Sequence, residues 1–108
     1  MMEPINIDQL RFEIKKPWTP IDVAKVNDQV IRLALFEGEY PFHKHSKEDE
    51  LFFVVKGSFI LQRKGYPDIL MNEGDMFVVE KGIEHRPKSP MKSYVLMFEP
   101  LNIKRKGD

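Results

Sequence analysis

The stretch Gly38–Gly57 reads G-E-Y-P-F-H-K-H-S-K-E-D-E-L-F-F-V-V-K-G. Within it His43 and His45 flank a single residue, and Glu50 follows five positions after the second histidine. In extended backbone, residues two apart share a face, so both imidazoles are expected to point the same way. The run Glu50–Lys56 crowds β-branched and aromatic residues between a charged loop and Gly57, which is the pattern of a strand. Glu50 opens that strand and faces back across the turn Ser46–Asp49 toward the two histidines. Two imidazole nitrogens and a carboxylate oxygen aimed at one point make an incomplete metal site. A fourth ligand is therefore expected elsewhere in the chain.

At 108 residues, with 42% aliphatic and aromatic residues, the chain has material for one hydrophobic core. Residues 1–20 read as an arm, 21–100 as a single β domain and 101–108 as a charged tail expected to fray. Seventeen basic residues balance seventeen acidic ones, so there is no basic surplus for nucleic acid or an anionic membrane. No apolar run approaches the ~20 residues that span a bilayer, and the start M-M-E-P-I-N lacks the pattern of a secretion signal. There is no cysteine, hence no disulfide framework and no thiolate chemistry. The default expectation is a soluble cytoplasmic protein whose partner is a small molecule.

No segment shows a sustained helical period. Short apolar runs separated by turn residues predict about eight strands, the signature of an antiparallel sandwich or barrel. Leu10, Phe12 and Ile14 alternate with charged residues and suggest a strand in the arm. Ile21–Val26 and Gln29–Phe36 follow, split by Asn27-Asp28. In the second of these, Ile31, Leu33 and Leu35 take one face; Val30, Ala34 and Phe36 take the other with Arg32. Glu50–Lys56 and Phe59–Lys64 are expected to pair as a hairpin around Gly57-Ser58. Beyond the turn at Gly65–Asp68 come Ile69–Met71 and Met76–Glu80. A further strand begins at Glu84–Arg86, breaks across Pro87–Pro90 and resumes at Ser93–Phe98.

The chain has only three histidines, and the third, His85, lies between two strands just after Gly82. If the strands pack face to face, His43, His45, Glu50 and His85 meet inside the barrel as three nitrogens and one oxygen. That set suits one divalent ion per subunit, whether iron, manganese, nickel, copper or zinc, and leaves open positions.

These residues in this order resemble the cupins. Gly38, His43, His45, Glu50 and Gly57 fit the first cupin motif, with the first spacer one residue short. Gly74, Gly82 and His85 fit the second, although Glu80 stands for its proline and Ser89 for its asparagine. The resemblance covers roughly residues 30–100. The segments D-E-L-F-F-V-V-K-G and V-E-K-G-I-E-H-R-P and the ending F-E-P are similar to small cupin 2 proteins of the mannose-6-phosphate-isomerase-like group. It implies an all-β cupin (jelly-roll, double-stranded β-helix) fold that hosts dioxygenases, isomerases, decarboxylases and binding proteins alike, so fold does not fix function.

Phe52 and Val54 share Glu50's face and are expected in the cavity. Leu51, Phe53 and Val55 take the other face, and a strand apolar on both faces suggests a homodimer. Phe36, Tyr40, Phe42, Met76 or Val78, and Phe98 are further pocket candidates, although plain core is the favoured reading of each. Trp18 reads as a residue packing the arm, with a pocket lid as the alternative. Lys44, Lys47, Glu48, Asp49, Glu84 and Arg86 read as solvated loop charges, one acid among them being a candidate to orient a histidine. No arrangement suggests a covalent nucleophile. Glu50, as ligand and proton acceptor, and Tyr40, as a proton donor, are the catalytic candidates. The expected function is dioxygenase-like or Lewis-acid isomerase or decarboxylase chemistry on a small organic molecule. The alternatives are a non-enzymatic metabolite or metal binding module, and a purely structural metal.

Overall fold

Strand β2, Gln29–Glu39, sits at the centre of the architecture. Its inward residues Val30, Ala34 and Phe36 and its outward residues Leu33 and Leu35 are all buried, so it is covered on both faces. The structure is a computed structural model and describes residues 3–108; Met1 and Met2 of the expected arm lie outside the described residues.

The remaining strands are β1 Ile21–Val26, β3 Glu50–Lys56, β4 Ser58–Arg63, β5 Ile69–Asn72, β6 Met76–Val79 and β7 His85–Pro100. All pairings are antiparallel, in the order β1-β2-β7-β3-β6, with β4 pairing both β5 and β7. The all-β jelly-roll expectation holds. No helix among the described residues is long and apolar enough to cross a membrane.

Two expected breaks and pairings do not occur. The run from His85 to Pro100 is one strand, not two. Its first part pairs with β4 through Arg63–His85 and Leu61–Pro87, and its second with β2 and β3 through Leu96 and Val95. Pro90, Met91 and Lys92 mark the exposed bend where β7 passes from one layer to the other. Strand β2 bends at the same level, with a register shift between Phe36 and Gly38 and Gly38 at φ +87°. Nor do β3 and β4 form a hairpin: β3 pairs with β6 and β7, and β4 with β5 and β7. One residue, Gly57, links them, too few for the shortest common hairpin loop. The chain instead turns a corner between layers there, with Gly57 at φ +84° against the Lys92 backbone.

The arm is helical where alternation suggested a strand. Asn6 caps α1, Ile7–Leu10, by accepting from the Gln9 N–H at 2.9 Å, and a 3₁₀ turn, Arg11–Glu13, follows. Ile7, Leu10 and Ile14 recur at helical spacing and pack on Leu33 and Leu35, while Phe12 is 63% exposed. The tail is likewise docked. Ile103 is buried, the Gly107 and Asp108 N–H groups bond Lys104 and Lys44 carbonyls, and the Asp108 carboxylate accepts from the Ser46 N–H at 2.8 Å.

The main core lies between the layers and includes Phe36, Phe52, Val54, Phe59, Leu61, Met71, Val95 and Met97. On the outer face of β3, β6 and β7, Leu51 pairs with Val78 and Phe98, and Phe53 with Met76 and Leu96. Met76, Val78 and Phe98 are exposed there; they point away from the interior, contrary to their reading as pocket candidates.

Candidate metal centre

Three segments deliver the four expected ligands to one end of the barrel. His43 and His85 are an antiparallel bridge pair, each donating its backbone N–H to the other's carbonyl at 2.9 and 2.8 Å. The His45 carbonyl accepts from Gly82 N–H at 2.8 Å, tying the first histidine loop to the turn before β7. Glu50, the first residue of β3, pairs with Val79 and points inward. One donor atom from each of His43, His45, Glu50 and His85 lies within 4.8 Å of the others.

The chemistry of these atoms fits a cation. Nδ1 of His43 donates to the Pro41 carbonyl at 2.9 Å, and Nδ1 of His85 to the Ile83 carbonyl at 2.8 Å. A carbonyl only accepts, so each Nδ1 carries the hydrogen and each Nε2 presents a lone pair. Backbone carbonyls, not the loop acids, orient these rings. The Glu50 Oε1 oxygen stands 3.6 Å from His45 Nε2 and 3.5 Å from His85 Nε2. That exceeds hydrogen-bond length and is near the ~3.4 Å separating tetrahedral ligands at ~2.1 Å from an ion. His45 Nε2, His85 Nε2 and Glu50 Oε1 are buried without a hydrogen-bond partner. Buried polar atoms are costly unless satisfied, and a shared cation satisfies all three at once.

The centre opens onto a pocket of about 50 Å³ whose wall includes His43 and Glu50 themselves. Its apolar side is formed by Trp18, Pro20, Ala34, Phe36, Phe52, Pro87 and Met97, and its remaining polar groups are Tyr40, Glu99 and Arg105. Phe36, Tyr40 and Phe52 are where the sequence placed them. Trp18 both packs the arm and walls the pocket. Its backbone N–H donates to the Leu35 carbonyl at 2.9 Å and its ring lies 4.8 Å from Phe36 and 5.1 Å from Tyr40. Phe42 sits outside, beneath the charged ends of Lys64 and Arg86. Arg86 bonds Gln62 and Glu39, away from the centre as alternation requires. Val54 lies deeper in the core, and the sequence's asparagine substitute, Ser89, is buried and bonded to the Ser93 hydroxyl at 2.9 Å.

Sequence reasoning missed Glu99. It is 2% exposed, lies against Glu50, and accepts a 2.5 Å hydrogen bond from the Arg32 guanidinium, which also holds Asp22 at 2.9 Å. Alternation along Val95, Met97 and Glu99 was the available signal, and it places Phe98 outside by the same rule. Burial, then the neighbouring Glu50 charge, pushes the Glu99 carboxyl up to about 9 against the opposing pull of Arg32. Burial acts on Glu50 in the same sense, but the contacts with His45, His85 and Glu99 outweigh it and hold Glu50 well below the usual carboxylate range. Burial lowers His43 and raises Tyr40, so Tyr40 keeps its phenolic proton at neutral pH.

The Cupin domain family model (Cupin_2) matches residues 30–99, which include all four candidate ligand residues. The chain is a cupin. The uncharacterized protein YdbB of Bacillus subtilis (strain 168) is 32% identical over 94 residues, covering 87% of this cupin and 83% of YdbB. A cupin-2 domain containing protein from Shewanella frigidimarina has a crystal structure similar to this cupin, with a TM-score of 0.86 and 30% identity over 89% of this chain and 93% of that one. Protein NMB1881 from Neisseria meningitidis is similar at TM-score 0.83 and 28% identity, covering 91% and 99% of the two chains.

Proposed function

We propose that this cupin is a metal-dependent enzyme acting on a small organic molecule, with one divalent ion held by His43, His45, Glu50 and His85. The observation that carries the reading is that two of the four ligand residues, His43 and Glu50, also wall the pocket. A structural metal site is closed by its ligands, whereas a catalytic one keeps a side open. When bound, the ion supplies Lewis-acid polarisation of a substrate oxygen, and a redox-active ion adds oxygen chemistry.

The chain's own residues supply the rest. Trp18, Phe36, Phe52 and Met97 exclude water and limit the substrate to a few heavy atoms, since a single water takes about 10–15 Å³ of such space. Tyr40 presents a protonated phenol at the pocket wall, a proton donor within the same space as the ligands. A retained proton donor favours Lewis-acid isomerisation or decarboxylation over the dioxygenase-like route.

Elemental analysis of protein purified without chelator, followed by assays of small carbonyl compounds with and without oxygen, tests the reading. Near one equivalent of metal, with turnover that persists under anaerobiosis and is lost in His85→Ala, supports it. Oxygen-dependent turnover moves the assignment to dioxygenase-like chemistry. Tight ligand binding without turnover turns it into a binding module, and no metal after reconstitution overturns it.

A further inference from the structure

Arg105 differs from the other arginines of the chain. Arg11, Arg32 and Arg86 each sit against carboxylates, and Arg63 stacks on Tyr66 and Phe77. Arg105 lines the pocket, and among the described residues its guanidinium has one hydrogen bond, a long one of 3.4 Å to the Trp18 carbonyl. Its backbone is nevertheless pinned on both sides. Ile103 is buried with its N–H on the Pro100 carbonyl at 3.1 Å, and Gly107 and Asp108 are tied to Lys104 and Lys44, each at 3.0 Å. A cation without a carboxylate partner is thus held by a docked segment at the mouth of an aromatic pocket.

The charges facing this cation leave it unmatched. Glu99 is taken by Arg32, and Glu50 belongs to the ligand set. We propose that Arg105 selects the ligand of this pocket, and that the ligand is a small organic carboxylate seated between its guanidinium and the rings of Trp18, Phe36 and Tyr40. A planar guanidinium matches a carboxylate with two parallel N–H donors, a geometry that a neutral amide of the same shape cannot satisfy. The inference rests on the proposed function only in taking this pocket as the substrate site.

Trp18 is the only tryptophan of the sequence, so its fluorescence reports directly on the pocket wall. The metal-reconstituted protein is titrated with propionate and, separately, with propionamide. Propionate is expected to bind about tenfold more tightly, near the low end for a charge-assisted hydrogen bond because Arg105 is exposed to solvent. Arg105→Gln is expected to remove that preference, Arg105→Lys to keep part of it, and added salt to weaken propionate binding alone. Circular dichroism of the variants checks that the fold is intact. Equal binding of acid and amide by the wild type, unchanged propionate binding in Arg105→Gln, or no fluorescence response to millimolar propionate overturns the inference. Metal content measured on the same samples separates the two readings. Arg105-dependent propionate binding by protein that takes up no metal supports this inference and sinks the metal-enzyme reading. Metal uptake and turnover without an Arg105 preference does the reverse.

Discussion

Glu99→Gln isolates the proton that Glu99 carries beside the candidate ligand Glu50. In the metal-free fold the Glu99 carboxyl holds its proton up to about pH 9, whereas in the unfolded chain it ionises near 4.5. Between those values the folded state binds about one more proton than the unfolded state, so unfolding free energy falls as pH rises, by at most about 1.4 kcal/mol per pH unit. From pH 7 to 9 the loss is about 2 kcal/mol, because the folded state itself begins to release the proton near the upper end. For a domain of this size that lowers Tm by about 10 °C. The window is chosen to exclude other groups. Burial lowers His43 below its ordinary 6.5, so its contribution is complete above 6.5 and is lost as pH falls. Glu50, also lowered, likewise loses its contribution only as pH falls below 4.5. Thermal unfolding of chelator-treated protein in buffers from pH 7 to 9 is the assay. Wild type is expected to lose stability across it and Glu99→Gln to stay flat, with Arg32 retaining Asp22 as a partner in both. Parallel slopes in the two proteins, or a wild type that gains stability with pH, would refute the reasoning.

Other expected outcomes follow from the same geometry. Saturating a divalent ion at a hundred times its Kd raises unfolding free energy by about 2.7 kcal/mol; chelation or His85→Ala removes the gain, and a Tm indifferent to both counts against the ligand set. Gly57→Ala brings a Cβ to 2.7 Å from the Lys92 carbonyl oxygen, while Gly65 has an equally left-handed φ and open space. Urea titration should give about 2–4 kcal/mol lost at Gly57 and about 1–2 at Gly65, and equal losses would contradict the corner at Gly57. Ile14→Ala should cost about 2–4 kcal/mol and Phe12→Ala less than about 0.5; comparable costs would restore the alternating strand in place of the helical turn.

Legibility in the sequence tracked the strength of local periodicity. Glu50–Lys56 was read to its exact ends because both its faces are apolar and Gly57 closes it. The convergence of His43, His45, Glu50 and His85 was legible because the chain has three histidines, two in the loop between β2 and β3 and the third opening β7. Prolines misled at both positions: Pro90 stands at the bend where β7 changes layers and no continuous ladder is required, whereas Pro87 stays within the ladder opposite Leu61. Alternation misled at residues 10–14, where five residues cannot separate a period of 2 from one of 3.6 and the cap at Asn6 decides.

The pocket was harder to read than the ligands for a physical reason. The ligands lie in or beside strands that the main core fixes, so their convergence follows from the barrel. Three of the pocket's wall residues lie toward the ends of the chain: Trp18 follows the helical turn, Glu99 lies one residue before the end of β7 and Arg105 lies in the tail. Trp18 and Arg105 are placed by long-range contacts that leave no local pattern, such as the Trp18 backbone N–H to the Leu35 carbonyl and Asp108 to Ser46, whereas Glu99 follows the alternation of β7. The same division has a functional consequence. On the proposed function, substitutions at Trp18 and Arg105 would change what the pocket accepts while the four candidate ligand residues keep their places, whereas changes at Asp108 reach the histidine loop through Lys44 and Ser46.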